Sequence, residues 1–147
     1  MLFAFSATAL DRAVVMDAND YVLGGEMNMK VLELSSSITG DYHELTEEEV
    51  ISAKVLLDRA ISSGENYGLE HGNRPRPLAQ YAKQYIGFTK DGNTYVYVNL
   101  VLATLKKTFG GFDEFLVNVC DGGNAFGYAV VNLTEHKVER IMMNGDA

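Results

Sequence analysis

The sequence predicts an α+β fold, with one long amphipathic helix packed on a curved antiparallel sheet of four to five strands in a single domain of 147 residues. Three stretches carry this prediction. Residues 46–64 place apolar side chains at helical spacing, residues 78–102 read as two β runs around a tight turn, and residues 115–147 read as three strands joined by two turns. The helix precedes the strands and does not alternate with them, which separates this class from folds built of repeated βαβ units.

Residues 1–40 carry the weakest pattern. Residues 1–9, MLFAFSATA, form a short apolar run ending in the small-residue pattern of a signal-peptidase site, but no Lys or Arg precedes it. A leader remnant and a first element of the domain both stay open. Short apolar runs at residues 13–16 and 21–23 are separated by Asp17-Ala18-Asn19-Asp20, and Gly24-Gly25 marks a turn. Residues 29–34, MKVLEL, alternate loosely and suggest a strand, and Ser35-Ser36-Ser37 with Thr39-Gly40 reads as loop.

The helix falls within residues 41–64. Thr46 is a suitable N-cap with Glu49 three residues on, the pattern of a capping box, and Leu45 and Val50 occupy hydrophobic-staple positions. Val50, Ala53, Leu57, Ala60 and Ile61 then recur at three- and four-residue spacing, with Val55 and Leu56 widening the apolar face, until Ser62-Ser63-Gly64 stops the helix. The triplet Glu47-Glu48-Glu49 places negative charge at the positive end of the helix dipole. Consecutive helical residues point in different directions, so the triplet is not read as a metal site.

Residues 65–77, ENYGLEHGNRPRP, hold both prolines and form the one linker-like stretch. Such a loop suits binding, and His71, Arg74 and Arg76 are candidates to meet an anionic ligand or an acidic partner surface. A plain helix-to-strand connection also needs polar residues there. In LAQYAKQYIGF, residues 78–88, Tyr81, Lys83 and Tyr85 fall on one side and Ala82, Gln84, Ile86 and Phe88 on the other. Lys90-Asp91-Gly92-Asn93 is a hairpin signal, and residues 94–102, TYVYVNLVL, form a strong β run. Asn99 within that run is either outward-facing or buried with a committed hydrogen-bond partner. Residues 101–107 extend the strand or begin a short helix before Gly110-Gly111.

In the last run, Phe115, Leu116, Val117 and Val119 are strand formers, Asp121-Gly122-Gly123-Asn124 is a hairpin signal, and residues 125–133 resume the strand. The polar Thr134-Glu135-His136-Lys137 turns the chain, and Val138, Ile141 and Met143 continue it. Three strands joined this tightly form an antiparallel meander.

Composition narrows the function. The chain is 47% hydrophobic and 22% charged, with 12 basic and 20 acidic residues and a formal charge of −8. That balance argues against non-specific binding to nucleic acid or anionic membranes, both of which require a cationic surface. No stretch approaches the roughly 20 apolar residues of a membrane span. The single cysteine, Cys120, excludes an intrachain disulfide and a cysteine-based zinc site, and reads as a small buried hydrophobe. Asp121-Gly122-Gly123-Asn124 lacks the ligand alternation and distal glutamate of a calcium loop. The glycines around Phe126 precede a strand and not a helix, so they are no phosphate cradle. Asn132-Leu133-Thr134 fits a glycosylation sequon, yet these residues are expected in a turn anyway. No catalytic residue, metal or cofactor is assigned.

Eight tyrosines and no tryptophan leave one constellation. Tyr81, Tyr85, Tyr95 and Tyr97 fall in one hairpin at two-residue and four-residue spacings, so each pair lies on one sheet face, and with Tyr128 they suggest an aromatic patch for a peptide, a glycan or a protein. The plainer alternative is tyrosines at the edge of the core.

The C-terminal run also resembles the signature of a family of small, uncharacterised proteins of Bacteroides-type bacteria, often exported or lipid-anchored. The matching residues are Asp121-Gly122-Gly123-Asn124, Phe126, Asn132-Leu133-Thr134 and Asn144-Gly145-Asp146-Ala147, with Gln84-Tyr85-Ile86-Gly87 and Val98-Asn99 upstream. The likeness spans about the last 70 residues by strand pattern. It implies export or a periplasmic location and carries over no catalytic residue; the lipid-anchoring cysteine of some relatives is absent here. The expected arrangement, a sheet wrapped across one helix, resembles cystatin-like folds, which host binders, inhibitors and enzymes alike. The expectation is therefore a non-enzymatic binding module of the bacterial envelope or exterior, contacting partners through the tyrosines and the loop of His71, Arg74 and Arg76. The alternatives are a small hydrolase or isomerase using Asp121, His71 and Tyr85, and an inhibitor of a protease or lysozyme-like enzyme.

Overall fold

The turn at Asp91-Gly92 sets the register of the sheet. The computed structural model, which describes residues 15–64 and 73–145, gives both turn residues positive φ, 51° and 80°. This is the backbone of a two-residue turn whose twist matches the strands it joins. It pairs β3 (Tyr81–Lys90) with β4 (Asn93–Leu102) from Lys90↔Asn93 to Tyr81↔Leu102. β4 then pairs antiparallel with β5 (Phe126–Asn132), and β5 with β6 (Lys137–Met143), where a bulge falls between Val130 and Val131.

The other edge of β3 is shared by two short strands. β1 (Asp20–Val22) runs parallel to Lys83, Gln84 and Tyr85, and β2 (Asp41–His43) runs antiparallel to Gly87, Phe88 and Thr89. The described residues thus form one six-stranded mixed sheet, where an antiparallel sheet of four to five strands was expected. Gly87 lets β2 approach: a Cβ there would collide with the His43 carbonyl and lie 2.7 Å from Leu45 Cδ2.

Helix α1 (Glu26–Ser36) links β1 to β2, and α2 (Glu47–Ser62) follows β2. α2 is the expected helix. The Glu49 amide donates to Thr46 Oγ1 at 3.2 Å and the Thr46 amide to Glu49 Oε1 at 2.9 Å, so the capping box is complete. Val50, Ala53, Leu57 and Ala60 pack on the sheet face bearing Tyr81, Tyr85, Val98, Leu100, Ala129 and Ile141. Complete burial of a side chain such as Leu57 stabilises the fold by about 1.5–3 kcal/mol.

α1 corrects the strand expected at residues 29–34 and makes two α-helices among the described residues. Met29 and Leu32, three positions apart, are buried against Ile86, Phe88 and Tyr97 on the opposite sheet face. The helical pattern is blurred in the sequence because Met27, Val31 and Leu34 are apolar and yet exposed. With helices on both faces, β3 is buried from Tyr81 to Phe88, including the polar Lys83 and Gln84.

The strand expected at residues 115–119 is also corrected. These residues form no strand, and β4 pairs instead with β5. The 3-10 helix Ala103–Thr108 carries the chain off β4, and residues 109–122 cross the α1 side of the sheet as loop. Nor does Asp121-Gly122-Gly123-Asn124 make a hairpin: Gly122 and Gly123 have φ of 97° and 59° and open a 3-10 turn, Gly123–Ala125, that leads into β5.

Candidate functional site

The crossing loop is held by amide side chains from three elements. Gln84, at the centre of β3 and fully buried, donates from Nε2 to the carbonyls of Phe112 (2.6 Å) and Phe115 (2.7 Å). Its Oε1 accepts from the Val117 amide (3.0 Å) and from Asn99 Nδ2 (2.8 Å). Asn99, opposite Gln84 on β4, also donates to the Val117 carbonyl at 2.8 Å. Asn28 of α1 donates to the Glu114 carbonyl at 2.9 Å and accepts from the Leu116 amide at 3.2 Å. The loop backbone therefore receives from side chains the partners that a neighbouring strand would otherwise give it. Further along, Asn144 Nδ2 donates to the carbonyls of Val119 (2.6 Å) and Asp121 (2.9 Å).

Pinned in this way, the loop forms one wall of a cleft of about 470 Å³, inside the roughly 300–1,000 Å³ range of small-ligand sites. Ser35 and Ser36 at the end of α1 line it, as do residues 117–120, Phe126 and Tyr128 of β5, and Asn144, with Tyr97, Asn99 and Gly127 the buried members of the lining. The Tyr97 and Tyr128 rings stack at 5.0 Å with an 18° interplanar angle, an attractive offset geometry. Ser36 Oγ lies 3.5 Å from the Tyr97 hydroxyl. Burial raises the Tyr97 phenol well above its ordinary value, so the ring stays neutral. None of the twelve lining residues carries a formal charge. The Arg140 guanidinium, outside the lining, donates to the Tyr128 hydroxyl at 3.2 Å.

The tyrosine patch needs correction. The register Ile86↔Tyr97 and Phe88↔Tyr95 places Tyr95 and Tyr97 on the α1 face, while Tyr81 and Tyr85 sit on the α2 face. Tyr81, Tyr85 and Tyr97 are buried, and Tyr95, half-buried, stacks on Phe88 at 5.0 Å. Of the four, only Tyr97 lines the cleft, joined there by Tyr128. Arg74 and Arg76 are exposed on a segment tied to the turn before β5: Arg76 Nε donates to Asn124 Oδ1 (3.2 Å) and Asn124 Nδ2 to the Arg74 carbonyl (3.1 Å). The Tyr81 hydroxyl completes that junction, donating to the Asn124 carbonyl at 2.7 Å and accepting from the Arg76 amide at 3.0 Å. His71 lies outside the described residues, as do residues 1–9. Asp121 is exposed, and Tyr85 lies buried on the opposite face, so these two are not brought together. Cys120 is exposed on the cleft's loop wall, where a buried hydrophobe was expected, because its segment is loop and not strand. Asn132 and Thr134 serve the β5–β6 turn and the sheet edge, accepting from the amides of Glu135 (3.0 Å) and Thr94 (2.9 Å).

A second polar cluster lies under α2. The Asp20 carboxylate, wholly buried, is 2.6 Å from Lys54 Nζ and 3.5 Å from Lys83 Nζ, and accepts from the Tyr85 hydroxyl at 2.8 Å. Burial depresses the Lys83 ammonium, an effect that Asp20 opposes and Lys54 reinforces. Burial together with the Asp20 carboxylate pushes the Tyr85 phenol far up. Lys54 also donates to the Val15 carbonyl at 2.7 Å. The cluster joins residues 15–20 to α2 and β3, and with Asp17, 3.3 Å from Lys54 Nζ, two carboxylates balance two ammonium groups, which is the requirement for burying them.

Among these groups, sequence reasoning had missed Gln84, Asn28, Asn118 and Asn144 near the cleft, and Asp20, Lys54 and Lys83 beneath α2. A signal existed for Gln84 and Asn99, polar residues inside apolar β runs. Comparison of the chain with family models, curated proteins and solved structures found no match.

Proposed function

We propose that this protein is a non-enzymatic binding module of the bacterial envelope or exterior, and that its ligand seats in the cleft between the end of α1, residues 117–120 and β5. The supporting observation is the combination of concavity, neutrality and fixation: the lining has aromatic, amide and hydroxyl groups, and its loop wall is held by Gln84, Asn99 and Asn144. Pre-organised sites lose less entropy on binding. The lining holds no carboxylate, histidine or lysine, the commonest acid-base groups, and its titratable members are the cysteine Cys120 and the tyrosines Tyr97 and Tyr128. Arg74 and Arg76 lie outside the lining, on the segment whose Asn73 donates to the Asn144 carbonyl at 2.6 Å. Support for the location is the C-terminal resemblance to exported proteins. The cystatin-like likeness is our reading of α2 against β3–β6, to which α1, β1 and β2 are additions.

A titration of isotope-labelled protein with a mixed panel of soluble peptides and oligosaccharides, followed by amide NMR, tests this reading. Resonances of Tyr97, Asn118, Cys120 and Tyr128 are expected to move together. Shifts clustered instead on the exposed α1 residues Met27, Val31 and Leu34 would move the binding surface elsewhere.

A further inference from the structure

Building on the cleft reading, we infer that the ligand is an uncharged oligosaccharide. The chain has 12 basic and 20 acidic residues, yet none lines the cleft. A charged ligand would lose hydration there without gaining a counter-charge from the lining, and burial of an unpaired charge is strongly unfavourable. A purely aliphatic ligand fits no better, because it would cover amides and hydroxyls without pairing them.

The polar groups that remain available match sugar hydroxyls. The Asn118 side chain is exposed on the cleft wall and makes no hydrogen bond among the described residues, so its amide is free both to donate and to accept. Asn99 uses its Nδ2 protons on Gln84 and Val117, which leaves its side-chain oxygen as an acceptor. Ser36 and Tyr97 add hydroxyls that can take either role. Sugar hydroxyls likewise donate and accept, so they pair with such a set in many orientations.

The aromatic components suit the other character of a pyranose, its C–H face. Tyr128 is half-buried, backed by Tyr97 on one side and anchored through its hydroxyl to Arg140. Phe126 stands two residues before it on the same strand face, with its ring edge-on to Phe109 at 6.0 Å and 90°. Two rings held by their neighbours offer apolar surface at low conformational cost. The solvent-open cleft of about 470 Å³ suits a short chain of sugar units that enters and leaves along its length.

The test is amide NMR with three separate probes: neutral glucose and mannose oligosaccharides, sulfated or uronic-acid oligosaccharides, and uncharged peptides of similar length. Neutral oligosaccharides are expected to move the Asn118, Tyr97 and Tyr128 resonances in a saturable way. Asn118→Ala, an exposed change that spares the core, should weaken that binding about tenfold, the scale of one lost hydrogen bond. Tyr128→Phe should keep the ring and most of the affinity, while Tyr128→Ala should lose both. If only the charged oligosaccharides or only the peptides move these resonances, the sugar assignment is overturned and the cleft reading stands. If no probe moves them, both are overturned.

Discussion

Gln84 takes the place of a strand partner for the loop. Both its amide protons and its carbonyl oxygen serve residues 112–117 or the neighbouring Asn99. Replacing it with methionine keeps the volume but leaves two loop carbonyls and one amide without their partner, at about 1–3 kcal/mol for each buried group left unpaired. Gln84→Met should therefore lower the denaturation midpoint, and the Val117 amide should exchange with solvent much faster. Unchanged exchange at Val117 would show that the loop is held by other means. Asp20 offers a second contrast. Asp20→Ala leaves Lys83 buried without its counter-charge and Lys54 with only the exposed Asp17 at 3.3 Å, an expected loss of about 3–5 kcal/mol. Lys83→Met removes an ammonium that burial already disfavours and leaves Asp20 paired with Lys54, so it should cost much less. Equal losses in urea unfolding would contradict this division of roles.

The two helices differ in how far their neighbours decide them. α2 announces itself through Thr46, Glu49 and a regular apolar face, all local signals, and it forms as read. Leu57→Asp buries an unpaired carboxylate on that face and should leave the chain unfolded by circular dichroism. Leu34 of α1, 88% exposed, should accept lysine within roughly ±0.5 kcal/mol in the same assay, although the sequence reads its stretch as a strand. That contrast shows why α1 was illegible: a helix with apolar residues on its outer as well as its inner face has no single period to read. Residues 115–119 failed for a related reason. Their strand-like composition reports partial burial, whereas pairing depends on which backbone lies beside β4, and the register Tyr95↔Asn132 gives that place to β5. The β3–β4 hairpin was legible because Asp91-Gly92 fixes its own partner.

At the scale of the molecule, the candidate site was legible only in its chemistry. Aromatic side chains were expected in it, and Tyr97 with Tyr128 are there, but spacing along each strand cannot say which face of the sheet a partner strand's residues share, so Tyr81 and Tyr85 fall on the α2 side. That same division of tyrosines between two covered faces governs the response of the whole fold to pH. Tyr81, Tyr85 and Tyr97 are all held above the ordinary value of 10.0, burial being the main cause in each. A group whose folded pKa is raised contributes stability in full below its unfolded pKa and loses it as pH climbs beyond. Lys83 acts in the opposite sense: its folded pKa is depressed below 10.5, so the unfolded chain holds the extra proton and stability grows as pH rises through the folded pKa towards that value. Lys83 thus favours the fold on the approach to pH 10, and the three tyrosines oppose it beyond. On the acid side, burial works against the Asp17 carboxylate, but the Asn19 amide and Lys54 outweigh it and hold the group below 3.8, so its contribution fades only as pH falls through that depressed value. An alkaline titration should therefore show little tyrosinate absorbance from the buried rings until the fold gives way. The absorbance should then rise in one steep step together with the loss of far-ultraviolet circular dichroism. Smooth ionisation of all eight tyrosines near pH 10 with the circular dichroism intact would mean that these three rings are open to solvent, and the packing of both sheet faces described above would be wrong.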